Sequence, residues 1–188
     1  RDQPRSRGLG DVYKRQMLHK AEDTMRRKRD ELKNCRRKEM IGFRRIDPEI
    51  AMEKNTWFHL GRNSCEEILY CLRRIADPCE EHVDNNFVPL SKEQVKEYIP
   101  LRDTVLFLLR RTGKILQTDS YDEVDEVRRE AEELKDCLEK AREAQMQRMQ
   151  SSKENIAVAY LYLNLLQETR ELTSSLRHLL RASKGFRE

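Results

Sequence analysis

The densest concentration of groups able to hold a ligand is DPCEEHVDNN, from Asp77 to Asn86. On a helix, Asp77 with Glu81 and Glu80 with Asp84 are i,i+4 pairs, so two carboxylate pairs project from neighbouring faces with His82 between them. Such pairs hold Mg²⁺, Mn²⁺ or iron when a second helix supplies further ligands, and a divalent ion of this kind is the one cofactor the sequence suggests. The plainer reading is that acids and Asn gather at a helix end and its turn. A second concentration is basic: Arg26, Arg27, Lys28 and Arg29, followed by Arg36, Arg37 and Lys38. These suit phosphates of nucleic acid or anionic lipid head groups, or simply form a solvated face. Without interleaved aromatics or a DNA-reading motif, sequence-specific nucleic-acid recognition is not expected. Nucleophilic catalysis has little support, because the Ser residues sit mostly at helix starts and no GxSxG or phosphate-cradling Gly motif occurs. His19, His59, His82 and His178 lack an evident catalytic partner, so no enzyme is expected.

The elements that must position these groups are helices. Of the 188 residues, 38 % are charged and 37 % hydrophobic, with only 6 Gly and 5 Pro. That mix suits long amphipathic helices and argues against a sandwich, a barrel or a Gly-rich nucleotide-binding domain. The longest uncharged stretch, which ends at Gln167, falls well short of the ~20 residues of a membrane span. The pI near 8.8 is concentrated at one end. Residues 1–16 hold five Lys or Arg against two Asp, most of the net charge of +4. This stretch has no apolar period and precedes Met17, so it reads as a non-native-looking tail and is set apart from the fold. Five cysteines without a CxxC pair read as reduced thiols. Cys65 and Cys79 return to nearly the same helical face and are expected to be small core residues rather than zinc ligands.

Residues 17–46 form a basic helical segment with a weak core face, and residues 47–186 the bundle domain. Asp47-Pro48 is an N-cap followed by Pro at the first helical position. The helix it opens runs toward Asp84 on a stripe of Ile50, Trp57, Cys65, Ile68, Leu69, Leu72, Ile75 and Cys79, with a kink or restart expected at Pro78. Ser91 with Gln94 is a capping box for a third helix, whose stripe is Val95, Ile99, Leu101, Val105, Leu106 and Leu109 and whose kink is expected at Pro100. Ser120 with Glu123 opens a fourth, in which residues 119–143 hold 11 acids and 5 bases. Ser151 with Glu154 caps a fifth, where Val158, Leu165, Leu172 and Leu179 fall seven apart and Tyr162 and Leu176 occupy the adjoining seam. The implied fold is all-α, an antiparallel bundle of long amphipathic helices.

Two segments go beyond a generic helix: CLRRIADPCEEHVDNNFVPLSKEQ, Cys71 to Gln94, and AYLYLNLLQETRELTSSLRHLLRASKGF, Ala159 to Phe186. Together they resemble the C-terminal PhoU-like helical region of bacterial inorganic phosphate transporters. The PiT type is favoured and the sodium/phosphate cotransporter type is close behind. His82 to Leu90, H-V-D-N-N-x-x-P-L, is the most specific part, and the closing helix shares a tyrosine-leucine repeat, Gln-Glu-Thr and a final Lys-x-Phe. The resemblance implies an accessory or regulatory region at the cytoplasmic face of the membrane, partnered by transporter membrane helices that this chain does not contain. Metal-binding E/D-x-x-x-D motifs belong to PhoU proteins. Glu80 to Asp84 has that spacing, but no equally clear second copy is present.

The expected function is therefore an accessory or regulatory domain of a phosphate transporter. Its metal candidates are Asp77, Glu80, Glu81 and Asp84, and its membrane-surface contacts are Arg26 to Arg29 and Arg36 to Lys38. These same basic residues could instead engage the acidic fourth helix. Self-association is left open. The alternative is a stand-alone helical scaffold or nucleic-acid-associated protein that uses the basic first helix.

Overall fold

One helix, α5 (Ile156–Arg187), is the axis of the molecule, and its sequence explains why. Val158, Leu165, Leu172 and Leu179 are buried, as are Tyr162, Thr169 and Leu176 on the next seam, and Ala159, Leu166, Thr173 and Leu180 form a third buried row. A helix apolar on three rows must be covered from more than one side. In the computed structural model α5 is flanked by α2 (Pro48–Asp84), α3 (Lys92–Thr118) and α4 (Val124–Ser151), while α1 (Arg5–Phe43) touches α2 alone among the described residues. Those are residues 5–85, 88–151 and 154–188, with side chains described except at 5–11, Met40 and Phe43. No strand occurs among them, so the fold is an all-α bundle. Asn86, expected at the end of the second helix, lies outside the described residues. α1 begins at Arg5 and so runs through most of the segment set apart from the fold.

Side-chain pairs fix the directions. Arg74 meets Glu168 and Gly61 meets Ala182, so α2 runs antiparallel to α5. Asp125 pairs with Lys184, Glu132 with Arg177 and Glu139 with Arg170, a ladder stepping seven residues on each helix, so α4 is also antiparallel to α5. Glu97 meets Tyr162 and Tyr98 meets Thr169, so α3 runs parallel to α5.

Several helix boundaries follow local chemistry that the sequence displays. Asp47 accepts from the Glu49 N–H at 2.9 Å with Pro48 at the first helical position. Ser91 and Gln94 make both arms of a capping box, at 3.1 and 2.9 Å. Two starts differ from expectation. Ser120 donates to the Asp122 carboxylate at 3.3 Å, which leaves a turn ahead of α4, and α4 opens at Val124. Ser151 belongs to the end of α4, and the N-cap of α5 is Asn155, whose side chain accepts from the Val158 N–H.

Pro78 lies inside one continuous α2, and no restart occurs there. The carbonyl it cannot serve is that of Arg74, one turn back. Asn164 of α5 donates to that oxygen at 3.0 Å, so a neighbouring helix supplies the missing hydrogen bond. Pro100 likewise sits within a single α3.

The core face of α3 matches the expected stripe only in part: Leu101, Val105 and Leu109 pack inward as expected. Val95, Ile99 and Leu106 are exposed, and the inward row is Gln94, Tyr98, Leu101, Val105, Leu108, Thr112 and Ile115, a heptad that includes two polar residues. On α2 the expected stripe is partly covered from Trp57 onward, but Ile50 is exposed because the first turns of α2 extend past the end of α5. There Gly185 lies against the Trp57 ring, where a Cβ would stand only 2.6 Å from the indole, and Phe186 approaches Phe58.

Candidate functional site

α1 is built unlike the other helices. Leu18, Met25, Leu32 and Glu39, seven apart, are partly covered, and no described residue of α1 is buried. It lies antiparallel on α2, with Arg15 paired to Asp84 at 2.9 Å and His19 to Glu80 at 3.2 Å. Between the two helices runs a groove of about 480 Å³. Met25, Leu32, Leu69 and Tyr70 give it an apolar floor, while Arg26, Arg29, Lys33, Arg36 and Arg73 outnumber Glu22 and Glu66 along its rim.

The seven basic residues expected to form one surface are all exposed, but they do not share a face. Arg26, Arg29 and Arg36 line the groove. Arg27 and Lys38 are eleven residues apart, about three turns, and project from the opposite side. Arg26 pairs with Glu22, Lys28 with Glu31 and Arg29 with Asp30. Arg27, Arg36, Arg37 and Lys38 make no ion pair among the described residues.

The acidic fourth helix does not neutralise this charge. Five of its eight carboxylates are engaged, Asp125, Glu132 and Glu139 by α5 through the heptad ladder and Glu126 and Glu130 by α3, where Arg111 reaches Glu126 at 3.0 Å, Glu130 at 2.8 Å and, just ahead of α4, Glu123 at 3.1 Å. Within α4, the hydrogen bond from Arg142 holds the Glu139 carboxyl below its ordinary range.

The four carboxylates expected to share a metal are dispersed by their partners. Asp77 pairs with Arg73 at 3.1 Å, Asp84 with Arg15, and Glu80 with His19. Glu81 is exposed and borders a shallow cleft of about 400 Å³ with His82, Tyr160 and Asn164. His82 reaches the Val88 carbonyl at 2.8 Å and the Asn85 side chain donates to the Glu81 carbonyl, so this part of the motif folds the turn back onto the end of α2. Asn86, the last residue of that constellation, and its neighbour at position 87 lie outside the described residues.

Two buried polar clusters have only indirect sequence signals. In the first, Arg74 donates to Glu168 at 2.7 Å and to Glu67 at 3.1 Å, beside the buried Cys71. Burial pushes the Cys71 thiol up to about 12 despite the neighbouring guanidinium. Burial likewise raises the thiols of Cys65 and Cys79, but both are only half-buried and stand outside the core cluster, and the cysteine that the core takes from α2 is Cys71. In the second cluster, Gln94 donates to Gln145 at 3.3 Å and to Glu154 at 2.8 Å, and Gln145 donates to Glu154 at 2.7 Å. Arg148 and Tyr162 both donate to Glu97 at 2.8 Å. Burial, followed by the Glu97 carboxylate, pushes the Tyr162 hydroxyl above its usual range. Completing the heptads would have found this layer, because Gln94 and Gln145 each continue an otherwise apolar row.

These clusters tie the helices of the bundle to one another through several hydrogen bonds each, which favours one arrangement of the core. The groove between α1 and α2 is open to solvent, and basic residues with no ion pair among the described residues lie on the exposed surface of the same α1. Compared with protein-family models, curated proteins and solved structures, the chain gives no match.

Proposed function

We propose that this chain is a helical accessory region of a bacterial inorganic phosphate transporter, of the PiT or sodium/phosphate cotransporter type, and that α1 rests at the anionic surface of the cytoplasmic leaflet. The carrying observation is where the positive charge goes. α1 contacts only α2, four of the seven clustered basic residues make no ion pair among the described residues, and five of the eight acids of α4 are already paired with α3 or α5. No helix among the described residues is long and apolar enough to cross a membrane, so the proposed membrane contact is electrostatic. Each basic residue near anionic lipid contributes about 1 kcal/mol, and the contribution falls within a Debye length.

The test is sedimentation with phosphatidylglycerol and phosphatidylcholine vesicles, alongside duplex DNA, at low and high salt. Salt-sensitive binding to the anionic vesicles alone, lost when Arg27, Arg36, Arg37 and Lys38 become Gln, supports the proposal. Binding to neither target contradicts the surface contact, and sequence-selective DNA binding overturns it in favour of a nucleic-acid role. The transporter assignment is tested by the genomic DNA upstream of the Met17 codon. An in-frame series of apolar segments of about 20 residues supports it. A stop codon followed by a ribosome-binding site directly ahead of Met17 contradicts it.

A further inference from the structure

The contact between α1 and α2 brings a neighbouring pair of groups on α1 against a third from α2, about sixty residues away in the chain. His19 and Glu22 stand one turn apart on α1, and Glu80 faces them from α2. His19 Nδ1 is 3.2 Å from Glu80 Oε1 and 3.9 Å from Glu22 Oε2, and all three atoms lie within 4.8 Å of one another. Ligands at 2.0–2.1 Å from a tetrahedral Zn²⁺ stand about 3.3–3.4 Å apart. The edge from His19 to Glu80 is close to that length, and small rotations of the exposed His19 and the half-buried Glu22 and Glu80 side chains close the others. Glu22 is steadied from outside the triad, since its other oxygen accepts from Arg26 at 3.0 Å. One turn along, the pair between Arg15 and Asp84 keeps α1 in register with α2.

We propose that His19, Glu22 and Glu80 form a Zn²⁺ site that clasps α1 onto α2, with water completing the coordination. The donor set selects the ion. An imidazole with two carboxylates suits zinc and its neighbours in the transition series, whereas calcium and magnesium take oxygen ligands. The placement gives the site a consequence. Because α1 buries none of its described residues, little apolar burial holds it in place, and an ion bound across the contact shifts α1 toward its docked position. The groove is formed by the same two helices and includes Glu22, so metal occupancy also sets how firmly its walls are held.

The experiment is titration of the full chain with Co²⁺, followed by visible absorption and by displacement with Zn²⁺, together with hydrogen exchange of α1. One Co²⁺ should bind per chain in a four-coordinate spectrum and be displaced by Zn²⁺. H19A and E80Q should each weaken binding at least tenfold, while H178A, at an exposed position on α5, leaves it unchanged. Zn²⁺ should slow exchange of the α1 amides in the unmodified chain but not in H19A. Absence of a saturable Co²⁺ spectrum, or equal affinity in H19A and E80Q, overturns the proposal. Circular dichroism of the variants verifies that the bundle remains folded.

Discussion

α1 and α5 are both longer than thirty residues, yet they are held by different forces. α5 buries fourteen residues and is covered by three helices, while α1 buries none of its described residues and is covered by one. Apolar burial is worth roughly 25 cal/mol per Å² and is insensitive to salt, whereas partly exposed ion pairs contribute about 0–1 kcal/mol each and are screened. The contrast assigns stability to α3, α4 and α5 with α2 on their flank, and adjustability to α1.

That division can be broken most forcefully at its stable end. Leu172→Asp places an unpaired charge on a buried seam of α5 and should cost more than about 4 kcal/mol, read as loss of the cooperative thermal transition. An unchanged melting temperature would show that the seam faces solvent. Gln145→Ala deprives the fully buried Gln94 and the half-buried Glu154 of one partner each and should cost about 2–3 kcal/mol in urea unfolding. A neutral result would mean that the layer is wet. Gly185→Ala pushes a methyl into the Trp57 ring and should cost about 1–2 kcal/mol, with a change in tryptophan fluorescence reporting the displaced ring.

A substitution in α1 sharpens the comparison in the opposite direction. Glu39 continues the row of Leu18, Met25 and Leu32, but one of its carboxylate oxygens is buried with no hydrogen-bond partner. Glu39→Leu should therefore tighten the docking of α1 by about 0.5–1 kcal/mol. It should also lower the Cys65 thiol, which is raised first by burial and next by Glu39, and thiol-labelling rates against pH would show the shift.

What the sequence revealed follows the same division. The heptad of α5 is legible because valine and leucine fill the row from Val158 to Leu179 without interruption. The face of α3 is only half legible, because counting apolar residues favours Val95, Ile99 and Leu106 beside Leu101, Val105 and Leu109, whereas the buried row uses Gln94 and Thr112. Gln94 is visible as a capping residue, but its second role requires Gln145, fifty-one positions away. Pro78 signals a broken helix only until Asn164 is seen beside the Arg74 carbonyl. The acidic constellation is divided among several partners for a related reason. Spacing places Asp77, Glu80, Glu81 and Asp84 on one short stretch, but α1 and Arg73 decide which of them meet a partner. Glu80 joins a cross-helix triad because His19 lies opposite, which no local pattern encodes.

Native-state hydrogen exchange, followed residue by residue at low and high salt, tests the central claim most directly. Amides of α5 between Leu165 and Leu180 should exchange only through global unfolding and be indifferent to moderate salt. Amides of α1 from Met17 to Lys38 should exchange through a separate, much less costly opening that becomes easier as salt rises. A single opening energy shared by α1 and α5, unchanged by salt, would contradict the account.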